Sequence, residues 1–264
     1  MLAALAPARR RLVLAVLGLL VAVSATVVVA VLVRREAPVV PVAQDEPGPV
    51  LLVPGYGGST AGLEVLAAAL RDQGREATQV TPVGDGTGDL RAQARGLDRA
   101  AQAALDAGAT SVDVVGYSAG GVVARLWVDE QGGDALARRV VSLASPQHGT
   151  DLAGLASDLA PGSCPVACRQ LAPNSDLLRA LNAGDETAAG PRWIALWTTD
   201  DKTVVPPSSG SLDGALELPL QDLCPGLVLA HGDVPRSATV AALVSVVLAG
   251  PEAVLPGREV CAAG

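Results

Sequence analysis

The pentapeptide Gly116-Tyr117-Ser118-Ala119-Gly120 joins an apolar run, "VDVV", to a helical pattern, "GGVVARLW". A serine at a sharp turn between strand and helix has its hydroxyl lifted above the sheet edge, where it can attack a carbonyl carbon. The small residues Gly116, Ala119 and Gly120 permit that turn and let the helix pack closely on the strand. A serine hydroxyl is a weak nucleophile until a base takes its proton. The chain has two histidines, His148 and His231. Only His231 has an acidic candidate between it and Ser118 in a suitable strand-end loop, so the order serine, acid, histidine makes it the expected base. His148, in "SPQHGT", is expected at the rim of the site as a structural or substrate-facing residue. Its alternative role is as the base, oriented by Asp151.

The acid must hold the imidazole in one tautomer and stabilise the imidazolium that forms during attack. The loop "WTTDDKTVVPPSS" offers two adjacent carboxylates, Asp200 and Asp201, of which one can point inward. Asp201, followed by Val204-Val205-Pro206, is the expected acid and Asp200 the alternative. The developing oxyanion needs two donors, expected to be the backbone N–H groups of Ala119 and of Tyr56, the latter in "VPGYGGST" where Gly55 turns the chain. That loop lacks the Gly-x-Gly-x-x-Gly spacing and a Lys-Ser or Lys-Thr ending, which excludes a dinucleotide or phosphate loop. This constellation requires neither metal nor organic cofactor.

Strand-like runs at 50–54, 77–82, 111–116, 139–145 and 193–199 alternate with Ala-rich helical patterns ending near glycines. Alternation of this kind predicts an α/β fold with a mostly parallel sheet flanked by helices. Residues 146–192 break the rhythm and are expected to form a flap or cap insertion at the carboxyl edge of the sheet, where such folds bind ligands. The expected organisation is an N-terminal segment over 1–35, a Pro-rich linker over 36–49 and one domain over 50–264.

Leu12 to Val33 contains no charge. As a helix it rises about 33 Å, enough for a hydrocarbon core of about 30 Å. A transmembrane anchor is expected, with a cleaved secretory signal as the alternative. The first 35 residues hold five arginines and no acid, and the rest of the chain keeps 14 basic residues against 27 acidic ones. Such a domain repels phosphate backbones, which excludes nucleic-acid binding. The four cysteines, Cys164, Cys168, Cys224 and Cys261, all lie downstream of the apolar segment. In an exported domain they suggest two disulfides among three connectivities, with Cys164–Cys168 and Cys224–Cys261 favoured. An extracytoplasmic, membrane-anchored monomer is expected.

With "VLLVPGYGG", "VVGYSAGG", "SPQHGT", "TTDDKTVVPPSS" and "CPGLVLAH" in this order, the chain resembles the α/β-hydrolase superfamily over approximately residues 50–250. Within it, the chain is similar to small bacterial secreted lipases and esterases related to Bacillus lipase A and to actinobacterial triacylglycerol lipases. Many of these relatives carry a histidine where this chain has Pro54. The resemblance implies Ser118 as nucleophile, Asp201 as acid, His231 as base, Tyr56 and Ala119 as oxyanion donors, and an ester or lipid substrate. A thioesterase or acyltransferase with the same residues, or a tethered binding module without turnover, are the alternatives.

Overall fold

The computed structural model describes residues 7–35 and 39–263, in two compact units that divide at Val39. Residues 1–6 of the N-terminal segment and 36–38 of the linker lie outside the described residues. The first unit holds one helix, α1 (Pro7–Arg35). Among the described residues no helix is long and apolar enough to cross a membrane, so the expected transmembrane anchor finds no support.

The second unit is built on six strands: β1 (Val50–Val53), β2 (Ala77–Gln79), β3 (Val112–Tyr117), β4 (Ala137–Leu143), β5 (Arg192–Trp197) and β6 (Leu216–Pro219). They pair in the order β2-β1-β3-β4-β5-β6, every pair parallel. Parallel strands need crossovers, and the long ones are helical: α2 (Leu63–Asp72), α3 (Leu90–Asp106) and α4 (Ala119–Glu130). Successive side chains of a strand face opposite sides, and the core divides accordingly. Val114 and Val140 join Leu97 of α3 and Trp127 of α4 on one face. Val115 and Val141 join Leu66 of α2 and Val244 of a late helix on the other. Both faces are thus covered, which is why the central strands read as unbroken apolar runs.

Between β4 and β5 the chain forms three short helices, α5 (Asp151–Leu159), α6 (Val166–Gln170) and α7 (Asp176–Leu181), within the segment expected as a flap. Leu177 and Leu178 of α7 are buried in the core. After β6 come α8 (Leu220–Leu223), a 3-10 turn over His231–Arg236 and α9 (Ala238–Leu248). Two disulfides close the fold, Cys164–Cys168 and Cys224–Cys261, the favoured connectivity.

The amino edge of the sheet carries a buried charge cluster. Asp113, fully buried on β3, accepts from Arg138 Nε and Nη2 at 3.0 and 2.6 Å and from Arg75 Nη2 at 2.6 Å. Arg138 also donates to Leu248 O, and Arg139 to the Val247, Ala249 and Gly250 carbonyls. These carbonyls end α9, where the helix dipole is negative, so they absorb the positive charge that one carboxylate leaves unmatched. Burial pulls the Arg139 guanidinium down to about 10, and the neighbouring Arg138 adds to that.

Candidate active site

The carboxyl ends of β3 and β5 and the loop before α9 converge on one serine. Ser118 follows β3 directly and caps α4 with φ 53° and ψ −126°, a conformation that costs a non-glycine residue about 1–3 kcal/mol. The surroundings over-determine it. A Cβ on Gly116 would lie 2.4 Å from Gly120 O, and one on Gly120 2.3 Å from Val53 O, so strand and helix meet backbone to backbone. At Gly55 the β1 loop passes over the serine, its Cβ position 3.5 Å from Ser118 Oγ.

Ser118 Oγ lies 3.0 Å from His231 Nε2, and His231 Nδ1 lies 2.7 Å from Asp201 Oδ2. Asp201 is 3% exposed, and its second oxygen, Oδ1, accepts the Thr203 and Val204 N–H groups at 2.8 Å each. Those two bonds fix the carboxylate and leave Oδ2 free for the imidazole. Three groups far apart in sequence therefore form one continuous hydrogen-bonded chain from carboxylate to hydroxyl.

Asp200 faces a different partner. Its Oδ2 accepts from Leu229 N at 3.2 Å and from Gln221 Nε2 at 3.3 Å. Gln221 and Thr198 strengthen the same strap: Gln221 Nε2 donates to Thr198 Oγ1, which donates to Leu229 O at 3.0 Å. The two adjacent carboxylates thus divide, Asp201 meeting the histidine ring and Asp200 holding the backbone that leads to it. On the other side, Thr150 Oγ1 donates to Thr203 O at 2.6 Å and accepts from Val205 N at 3.0 Å, pinning the loop that carries Asp201.

Ala119 opens α4, where the first N–H groups have no partner within the helix. The Tyr56 amide likewise has no protein acceptor among the described residues. Tyr56, Ser118 and His231 line one cleft of about 310 Å³, together with Leu63, Thr203 and Arg236. Tyr117 lines it too. Its hydroxyl donates to His231 O at 3.0 Å, and the two rings lie 5.2 Å apart. Burial, aided by Asp201, pushes the Tyr117 phenol up to about 12, so it stays a neutral donor at any ordinary pH.

His148 is not brought to Ser118. Its Nε2 lies 2.7 Å from Glu186 Oε1, not against Asp151. Burial opposes ionisation of Glu186, but the Asp213 N–H, His148 and Arg125 outweigh it and hold the carboxyl below its ordinary value. The supporting roles of Tyr117, Thr150, Thr198 and Gln221 are absent from the sequence reading. Each makes its bond across a long stretch of chain, and only the position of Tyr117 beside Ser118 gave a local signal.

A family model described as lipase (class 2) matches residues 102–213, which include Ser118 and Asp201. Among curated proteins nothing matches. Aspergillus fumigatus lipase B superposes with a TM-score of 0.69 at 19% identity, over 85% of this chain and 59% of that one. The mature Bacillus licheniformis lipase BlEst2 superposes at 0.59 and 16% identity, over 76% and 91%. The lin2722 product of Listeria innocua gives 0.52 and 16%, over 74% and 91%. This chain therefore spans under two thirds of the Aspergillus enzyme, and at such identities the likeness carries the fold alone. The family match covers the middle of the chain, and the fold is the one these lipase structures share.

Proposed function

We propose that this chain, with the fold of the α/β-hydrolases and a class 2 lipase match across its serine and acid loops, hydrolyses carboxylic esters through Ser118, His231 and Asp201. The observation that carries this reading is the bridging imidazole, 3.0 Å from the hydroxyl and 2.7 Å from the carboxylate. Ser118 Oγ attacks the ester carbonyl while its proton passes to His231 Nε2. Asp201 stabilises the imidazolium, and the Tyr56 and Ala119 N–H groups stabilise the oxyanion. The imidazolium then protonates the leaving alcohol, and an acyl group remains on Ser118. Water, deprotonated by His231, attacks that acyl group and restores the serine.

Lipid esters are favoured by the surface next to the cleft. Leu152, Leu155 and Leu159 of α5 are exposed, at 49, 57 and 76%. Their spacing places them on one helix face, and the helix begins where Asp151 N donates to Val205 O beside the acid loop. Exposed apolar surface on a helix that starts beside the acid loop suits a substrate with a hydrocarbon chain. The two disulfides favour maturation in an oxidising, extracytoplasmic compartment.

Treating the full-length protein with a fluorophosphonate should place the adduct on the peptide containing Ser118, with p-nitrophenyl ester turnover lost in proportion. A folded protein that neither labels nor hydrolyses any ester would overturn the proposal. Tyr117→Phe removes only the bond to His231 O, a net interaction of about 0.5–1.5 kcal/mol. The rate of labelling should fall by about three- to tenfold with the melting temperature little changed. An undiminished rate would show that this bond does not position the base.

A further inference from the structure

Arg236 belongs to the wall of the cleft that holds Ser118 and His231, and among the described residues no other lysine or arginine lines it. No Asp or Glu lines it either, since Asp201 lies behind the imidazole. The guanidinium gives one N–H, on Nη1, to Gly232 O at 3.0 Å. It makes no ion pair among the described residues, although Asp233 stands three positions before it. Its place is fixed from two sides. Arg236 Cζ lies 3.9 Å from the Cβ position of Gly62, which precedes α2 and also lines the cleft. Burial dominates the raised Tyr117 phenol, and among the charges acting on that group only Arg236 pulls the opposite way, which agrees with that placement.

In a domain where 14 basic residues face 27 acidic ones after residue 35, Arg236 is the cation that this cleft holds. A guanidinium in a structural role pairs with a carboxylate or packs into carbonyls, as Arg138 and Arg139 do here. Arg236 is exposed at the rim of an otherwise uncharged cleft, and apart from the N–H on Gly232 O its donors have no protein acceptor among the described residues. Guanidinium recognises carboxylate, phosphate and sulfate through paired N–H donors and keeps its charge at every relevant pH.

We propose that Arg236 reads an anionic group on the alcohol side of the ester, so that the substrates of this cleft are esters of acidic alcohols. The side follows from the chemistry. His231 Nε2 must deliver its proton to the leaving oxygen, so the alcohol lies at the histidine wall. Arg236 ends the 3-10 turn that His231 begins. Together with the leucines of α5, this specifies an amphiphile with an apolar acyl chain and an anionic alcohol portion. The inference rests on the ester-hydrolase reading.

The test compares 4-acetoxybenzoate with its neutral methyl ester, methyl 4-acetoxybenzoate, on wild type, Arg236→Gln and Arg236→Lys. The readout is the ratio of kcat/KM for the anionic ester to that for the neutral one, in which intrinsic reactivity cancels between variants. Arg236→Gln should lower this ratio about tenfold, chiefly through KM, and Arg236→Lys should restore most of it. Added salt should lower the ratio in wild type and leave it nearly constant in Arg236→Gln. An equal effect of Arg236→Gln on both esters would overturn the inference, reducing Arg236 to a support of the turn through Gly232. Wild-type protein that labels at Ser118 but shows no salt-sensitive ratio would overturn it too, while leaving the hydrolase reading intact. Absence of both labelling and turnover would remove the hydrolase reading and this inference with it.

Discussion

Asp201→Asn should lower kcat on a soluble ester by about four orders of magnitude, while Asp200→Asn should cost less than about tenfold. The contrast follows from hydrogen-bond polarity. The oxygen of residue 201 that meets Thr203 N and Val204 N must be an acceptor. An asparagine would therefore place its oxygen there and its NH₂ against His231 Nδ1. That forces the ring proton onto Nε2, facing Ser118, and a protonated Nε2 cannot act as base. At position 200 the acceptor of Leu229 N can be an amide oxygen as well as a carboxylate, so the histidine loop keeps its tether. Steady-state kinetics with a melting curve for each variant check this. A large loss confined to Asp200→Asn would reassign the acid.

Asp113→Ala should destabilise the domain by about 3–5 kcal/mol, the range for removing one partner of a buried ion pair. Among the described residues Asp113 is the only carboxylate partner of Arg75 and Arg138, which would be left with carbonyl acceptors alone. For a domain of this size the melting temperature should fall by about 10 °C. The cluster lies at the amino edge of the sheet, opposite Ser118, so ester turnover of the folded fraction should persist. A loss below about 1 kcal/mol in denaturant titration would show that water takes over the role of the carboxylate.

The parallel sheet was legible because both-face burial leaves unbroken apolar runs such as "VDVV", and because the elbow glycines mark where strand passes to helix. β6 was missed: Leu216–Pro219 is four residues with only Leu218 buried, too short for a period to show. α5 was missed for the opposite reason. Its leucines face solvent, so its pattern gives no core-facing stripe. In β4 the expected run began at Arg139, whereas the strand begins at Ala137 with Arg138 and Arg139 both buried. What buries them, Asp113 and the end of α9, lies 25 and about 110 residues away. The candidate site divides in the same way. Ser118 and His231 carried local or order signals, but the choice between Asp201 and Asp200 depends on Leu229, far along the chain. The uncharged stretch of Leu12–Val33 did form a helix, while its expected passage through a membrane found no support.

The backbone-to-backbone contact at the elbow also bears on how such a protein can change over generations. Gly116 and Gly120 leave no room for a single added carbon, since even alanine would place Cβ within 2.4 Å of a carbonyl oxygen. No graded series of substitutions is open at these positions, and drift there meets a cliff. Variation in what the cleft accepts must accumulate on its exposed walls, at Tyr56 and Arg236, where a side chain can be exchanged without moving the main chain. The chemistry is thereby held fixed by geometry, and the choice of ester is left to residues that the fold does not need.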